Sequence, residues 1–144
     1  MKNKIYKTLV LFLIGGSIYT VIETVWRFFR GSNPTHWSMF ILGGLCFVLL
    51  GAINEYLSWD TALPIQALIG TVIVLSLEFI FGFIFNVLLG LGIWDYSHMP
   101  FNIMGQICLP FALAWFVLSI IAIILDDWLR YWLFNEEKPH YRWI

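Results

Sequence analysis

Charge is scarce in this chain. Only 12% of its 144 residues are Asp, Glu, Lys or Arg, against roughly 25% in soluble domains. The net charge is −1, so there is no basic surface to favour a nucleic-acid partner. No Walker A run, H-E-x-x-H, paired C-x-x-C or G-x-S-x-G occurs, which removes the common signatures of nucleotide, zinc and serine-nucleophile chemistry. ATP cannot bind through a P-loop of this chain. His36, His98 and His140 fall in separate flanking regions, so no histidine metal cluster is expected. Cys46 and Cys108 both lie in apolar segments and are read as two buried thiols rather than a structural disulfide. No cofactor is expected.

What is present is apolar. Hydrophobic residues make up 60% of the chain and aromatic residues 19%, well above the roughly 45–50% apolar content of soluble domains. The fold class is therefore an all-α integral membrane protein in a lipid bilayer. Its length allows one compact bundle and no soluble catalytic domain. Lys2, Lys4 and Lys7 precede the first apolar run, as in a signal peptide. The run continues past Glu23 without a small-x-small cleavage site, so it is read as a retained transmembrane helix.

Four spans are expected, at about 8–29, 37–57, 64–93 and 102–125, followed by an interfacial tail over 126–144. In the tail Trp, Tyr and Arg interleave, a composition suited to a C-terminal helix at the membrane surface. The glycines of the second span, Gly43, Gly44 and Gly51, suit close helix packing. Pro64 fits a first helical turn, and Pro110 is expected to kink the fourth span. The third span is about 45 Å long at 1.5 Å per residue, longer than the roughly 30 Å hydrocarbon core. Either it tilts strongly, or it breaks near Gly90 and Gly92 into a re-entrant hairpin. Lysine and arginine concentrate at the two termini. The positive-inside rule then places both termini in the cytoplasm of a bacterial plasma membrane, which four spans satisfy.

The polar residues inside these spans are the candidate site. Glu78, Gly82 and Asn86 recur every four residues and share a helix face. An acid at that depth costs about 2.5–3.5 kcal/mol by insertion scales and usually marks a substrate path, an ion path or a proton relay. Glu23 stands four residues before Arg27, the favourable order for an ion pair on one face. Two readings are open for that pair: Arg27 snorkels to the surface with Glu23 as its partner, or Glu23 points into the bundle. Asp95, Asn102 and Gln106 follow in the polar stretch after the third span. The candidate ligand-binding or proton-relay set is thus Glu23, Arg27, Glu78, Asn86, Asp95, Asn102 and Gln106. The same set could instead form a structural hydrogen-bond network.

Several motifs stand together in this chain: Gly16-x-x-Tyr19-x-x-x-Glu23-x-x-x-Arg27, His36-x-Ser38-Met39, Trp94-Asp95-Tyr96-Ser97, Asn102-x-x-Gly105-Gln106-Ile107-Cys108, and Trp115. In this combination the chain resembles the ABC transporter type IV, or CmpB-like, family of membrane permeases, over nearly its whole length. The resemblance implies a permease component, with any ATPase in a separate subunit and the chain in a homo-oligomer or larger membrane complex. Transport is the leading expectation. A structural or regulatory subunit comes next, then an integral membrane enzyme acting on a lipid-type substrate through Asp95, Glu78 and His98.

Overall fold

The computed structural model describes residues 2–144, Lys2 by its backbone only. Among these residues, four helices are long and apolar enough to cross a membrane. The first is α1 (Lys2–Arg30). The second is α2 (Ser38–Gly51), continued after one turn residue by the short α3 (Ile53–Tyr56). The third is α4 (Leu63–Gly82), which runs on as a π-helix over Phe83–Leu88. The fourth is α5 (Leu109–Phe134). The expected all-helical membrane bundle is what forms.

Composition explains why these segments are helices. In lipid every backbone N–H and C=O must find its partner within the segment, and the α-helix provides this. Ile5, Leu9, Leu13, Val21 and Val25 stay exposed on α1, because lipid tails are as apolar as a protein core. Small residues bring α1 and α2 together. A Cβ added at Gly15 would run into Phe47, and one at Gly43 into Tyr19. Leu50, Ile53, Leu63, Val74 and Ile123 form the buried core where α2, α4 and α5 meet. The start of α1 and the end of α5 lie at the same end of the bundle. Lys7 Nζ reaches Glu136 Oε1 at 2.7 Å, and the Leu63 amide donates to the Arg142 carbonyl at 2.7 Å.

Several boundaries differ from expectation. The third helix does break. After Leu88 the chain turns back through Gly90 at φ 63° and Gly92 at φ 56°, a left-handed backbone that glycine adopts without Cβ strain. Its last turns are already loosened to i→i+5 bonding, as in Leu89 N–H to Ile84 C=O. The fourth helix starts at Leu109 rather than near residue 102, because residues 89–108 form a compact hairpin. Tyr96 N–H donates to Gly105 C=O at 2.7 Å and Ile103 N–H to Ile107 C=O at 2.9 Å. Pro110 therefore sits in the first turn of α5, where its missing N–H is harmless and no kink follows. The same helix runs on to Phe134, so 126–134 extend the span and only 135–144 are non-helical. Residues 126–134 pack in the bundle rather than lying on its surface, since Asp126 and Asp127 face inward, 0% and 4% exposed.

Candidate functional site

A cavity of about 990 Å³ lies between the helices, with Tyr19, Glu23, Arg27, Glu78, Tyr96 and Trp115 among its lining residues. Its wall also includes residues of the 30–33 loop and the 93–99 stretch of the hairpin. It reaches inward to Leu50 and Leu125.

Glu78 is the buried acid of this cavity, 4% exposed. It stands roughly 22 Å along α4 from Leu63 at 1.5 Å per residue. Both carboxylate oxygens accept from neutral donors: Oε2 from Trp115 Nε1 at 3.0 Å, and Oε1 from Tyr96 Oη at a longer 3.3 Å. Tyr96 is fixed by stacking on Phe111, with ring centroids 4.7 Å apart and planes 15° apart. Burial, then the Glu78 charge, holds the Tyr96 hydroxyl above its usual range, so it remains a donor. Trp115 lies beside Tyr19, with centroids 6.0 Å apart. Two aromatic residues of the sequence motifs, Tyr96 and Trp115, are thus the groups that hold the acid.

Glu23 and Arg27 form the ion pair that their spacing implies, with Nε to Oε1 at 2.7 Å. Arg27 does more than pair. Its Nη2 donates to the Ile93 carbonyl at 2.9 Å and its Nη1 to the Asn33 carbonyl at 3.3 Å. It therefore ties α1 to the first loop and to the hairpin.

The other candidates sit in the hairpin's own bonding. Asn86 Nδ2 donates to Gln106 Oε1 at 2.9 Å, and Asn86 Oδ1 accepts from Ile93 N–H at 2.6 Å. Gln106 Nε2 donates to the Met104 carbonyl, and its own carbonyl accepts from Trp94 Nε1 at 3.0 Å. Asn102 closes the tip through the carbonyls of Ser97 and Met99 and the amide of Gly105. Gly82 makes room for this hairpin: a Cβ there would lie 2.5 Å from Gln106 Oε1 and 2.9 Å from the Trp94 ring. Asp95 is exposed and caps a turn, its Oδ1 accepting Ser97 N–H at 2.8 Å. The Ser97 backbone and hydroxyl hold its carboxyl below the usual range. The structure thus brings Glu23, Arg27, Glu78 and Asp95 to the cavity wall, and it engages Asn86, Asn102 and Gln106 in the hairpin's own bonding beside that wall.

A second polar cluster was not anticipated. Asp126, read from sequence as the start of an interfacial tail, packs its carboxylate where a Cβ of Gly51 would be. Arg130 Nε donates to its Oδ2 at 2.6 Å. Asp127 Oδ2 accepts from Asn54 Nδ2 at 2.7 Å and Tyr141 Oη at 3.0 Å. Arg130 also reaches Glu55 at 3.3 Å. The signal was present as Asp126-x-x-x-Arg130, the same i,i+4 spacing as Glu23 and Arg27. Among the described residues, no three His, Cys, Asp or Glu are grouped to hold a metal ion.

Residues 10–142 match the family described as "Putative ABC-transporter type IV". That match spans nearly the whole chain, which defines it as an ABC-transporter-related membrane protein. The chain belongs to this family, in agreement with its sequence motifs. No curated protein and no solved structure gave a significant match.

Proposed function

We propose that the chain is the permease component of a membrane transporter, and that Glu78 is the group in it that binds and releases a cation or a proton. One observation carries this reading. A buried carboxylate, held only by the neutral donors Trp115 and Tyr96, stands on the wall of a 990 Å³ cavity within a membrane bundle. Such an acid is costly in a bilayer and has the protein's own dipoles but no countercharge beside it. It can therefore exchange a proton or a cation without first breaking an ion pair. Glu23 and Arg27, tied to the hairpin through Ile93, are in this reading the pair whose opening widens access. Asn86, Asn102 and Gln106 keep the hairpin in place over the cavity, and Asp95 fixes its turn.

Family membership supports a separate ATPase subunit and assembly of the chain in a homo-oligomer or larger complex. The lysines and arginines at both termini support a cytoplasmic position for both ends. The catalytic alternative has less support, because Asp95 already accepts the Ser97 amide and Asp95 and His98 are both exposed.

The test is proton flux into proteoliposomes under an imposed potential, followed with an entrapped pH dye. Flux by the wild type that Glu78→Gln abolishes is the expected result. Equal flux in the two forms would remove Glu78 from the path.

A further inference from the structure

The charges on the cavity wall do not balance. Glu23 and Arg27 neutralise each other at 2.7 Å, and the two remaining guanidinium nitrogens of Arg27 are on backbone carbonyls. Arg30 is exposed and stacks its guanidinium 5.5 Å from the Trp26 ring. Asp95 and His98 are exposed at the hairpin. Glu78 is left with two neutral donors, and among the described residues no cation lies within salt-bridge distance of it. A lone ionised carboxylate in a low-dielectric cavity is stabilised most by a positive charge placed beside it.

The wall around that carboxylate selects which positive charge. Tyr19 and Trp115 stand together at 6.0 Å, Tyr96 is stacked on Phe111, and Trp26 meets Phe111 edge-on at 6.2 Å. All five line the cavity. Aromatic faces attract cations, most of all weakly hydrated organic ones. A divalent metal ion would need several oxygen, nitrogen or sulfur ligands in one place, and no such group is found among the described residues. The volume, about 990 Å³, is at the upper end of the roughly 300–1,000 Å³ range of drug-sized ligand sites.

We infer that the cavity binds a monovalent lipophilic organic cation, its positive centre beside Glu78 and its apolar groups on the rings of Trp115 and Tyr19. This inference deepens the permease reading and rests on it for its biological meaning.

Two ions of matched shape and opposite charge test it. Equilibrium dialysis of the purified chain in mild detergent would use radiolabelled tetraphenylphosphonium and, in a separate cell, radiolabelled tetraphenylborate. Saturable binding at one site per chain is expected. Glu78→Gln weakens it at least about tenfold, as loss of a charged partner does. Tyr19→Leu, which removes a cavity ring that makes no hydrogen bond to Glu78, weakens it about threefold, and tetraphenylborate shows no saturable binding. Glu78→Gln is expected to elute and fold as the wild type, and Tyr19→Leu gives an independent reading.

Absence of saturable cation binding, equal saturable binding of the anion, or unchanged affinity in Glu78→Gln would each overturn the inference. If proton flux depends on Glu78 while tetraphenylphosphonium does not bind, the organic-cation assignment falls and the permease reading stands. Glu78-dependent binding together with flux that Glu78→Gln leaves unchanged supports the cation site and removes Glu78 from the transport path.

Discussion

Glu78 and Asp126 are two buried acids in apolar helices, 4% and 0% exposed, and the bundle treats them in opposite ways. Asp126 has a cation of its own. Arg130 lies one turn away at 2.6 Å, and α2 comes so close at Gly51 that no side chain fits between. Glu78 has Trp115 and Tyr96 instead and faces open volume. Asp126 is absent from that cavity wall, although the preceding residue, Leu125, is part of it. A buried acid with a fixed countercharge and packed backbone is a structural clamp. One with neutral donors and space beside it is free to take a partner. The contrast lies in what each acid touches, since both are equally hidden from solvent.

The largest expected effect concerns the clamp. Asp126→Ala leaves Arg130 without its closest partner in a packed site, which costs about 3 kcal/mol, the low end for a broken buried pair because Glu55 still faces the guanidinium. Glu78→Gln removes a charge that has no countercharge and keeps a hydrogen-bonding group, so the fold is unchanged or slightly more stable. Thermal unfolding in detergent should separate the two variants by a large margin. Equal losses in both would erase the distinction between clamp and cavity acid.

Next in size is Gly82→Leu. Its side chain would enter the space of Gln106 and the Trp94 ring, an overpacking worth about 1–3 kcal/mol. Hydrogen exchange should quicken across residues 93–107 while the α1–α2 contact stays protected. Loss of protection in α1 and α2 as well would mean that the hairpin is not a separate layer.

The smallest effect is at Asp95. Its folded carboxyl titrates below the ordinary value because of Ser97. Its contribution is therefore complete above the unfolded pKa of about 3.9 and is lost as pH falls through the lower folded value. Hairpin protection should fall only in that acid window, and Asp95→Asn should remove the pH-dependent part. A loss near neutral pH would point to a different group.

The sequence carries the helical bundle plainly, because runs such as Ala67–Leu77 have one stable form in lipid. It also carries the Glu23–Arg27 pair through spacing, and Glu78 through its isolation among apolar neighbours. The hairpin was harder to place. Asn102, Gly105 and Gln106 border an apolar run and read as its first turn, whereas the side chains of Asn102 and Gln106 close a loop with Ser97, Met99 and Asn86. Such cross-loop bonds have no periodicity to betray them. Asp126 was misplaced for a related reason. An acid pair beside Trp and Arg has the composition of a membrane surface, and only the approach of Gly51 from another helix makes it interior.

Carbodiimide labelling of the intact protein, with the modified carboxyls located by mass spectrometry, addresses the central contrast directly. An apolar carbodiimide can enter the cavity and react with the acid there, but it has no room at the Gly51–Asp126 contact. Labelling at Glu78, with Asp126 untouched, is the predicted result. Labelling of Asp126 with Glu78 spared would contradict it.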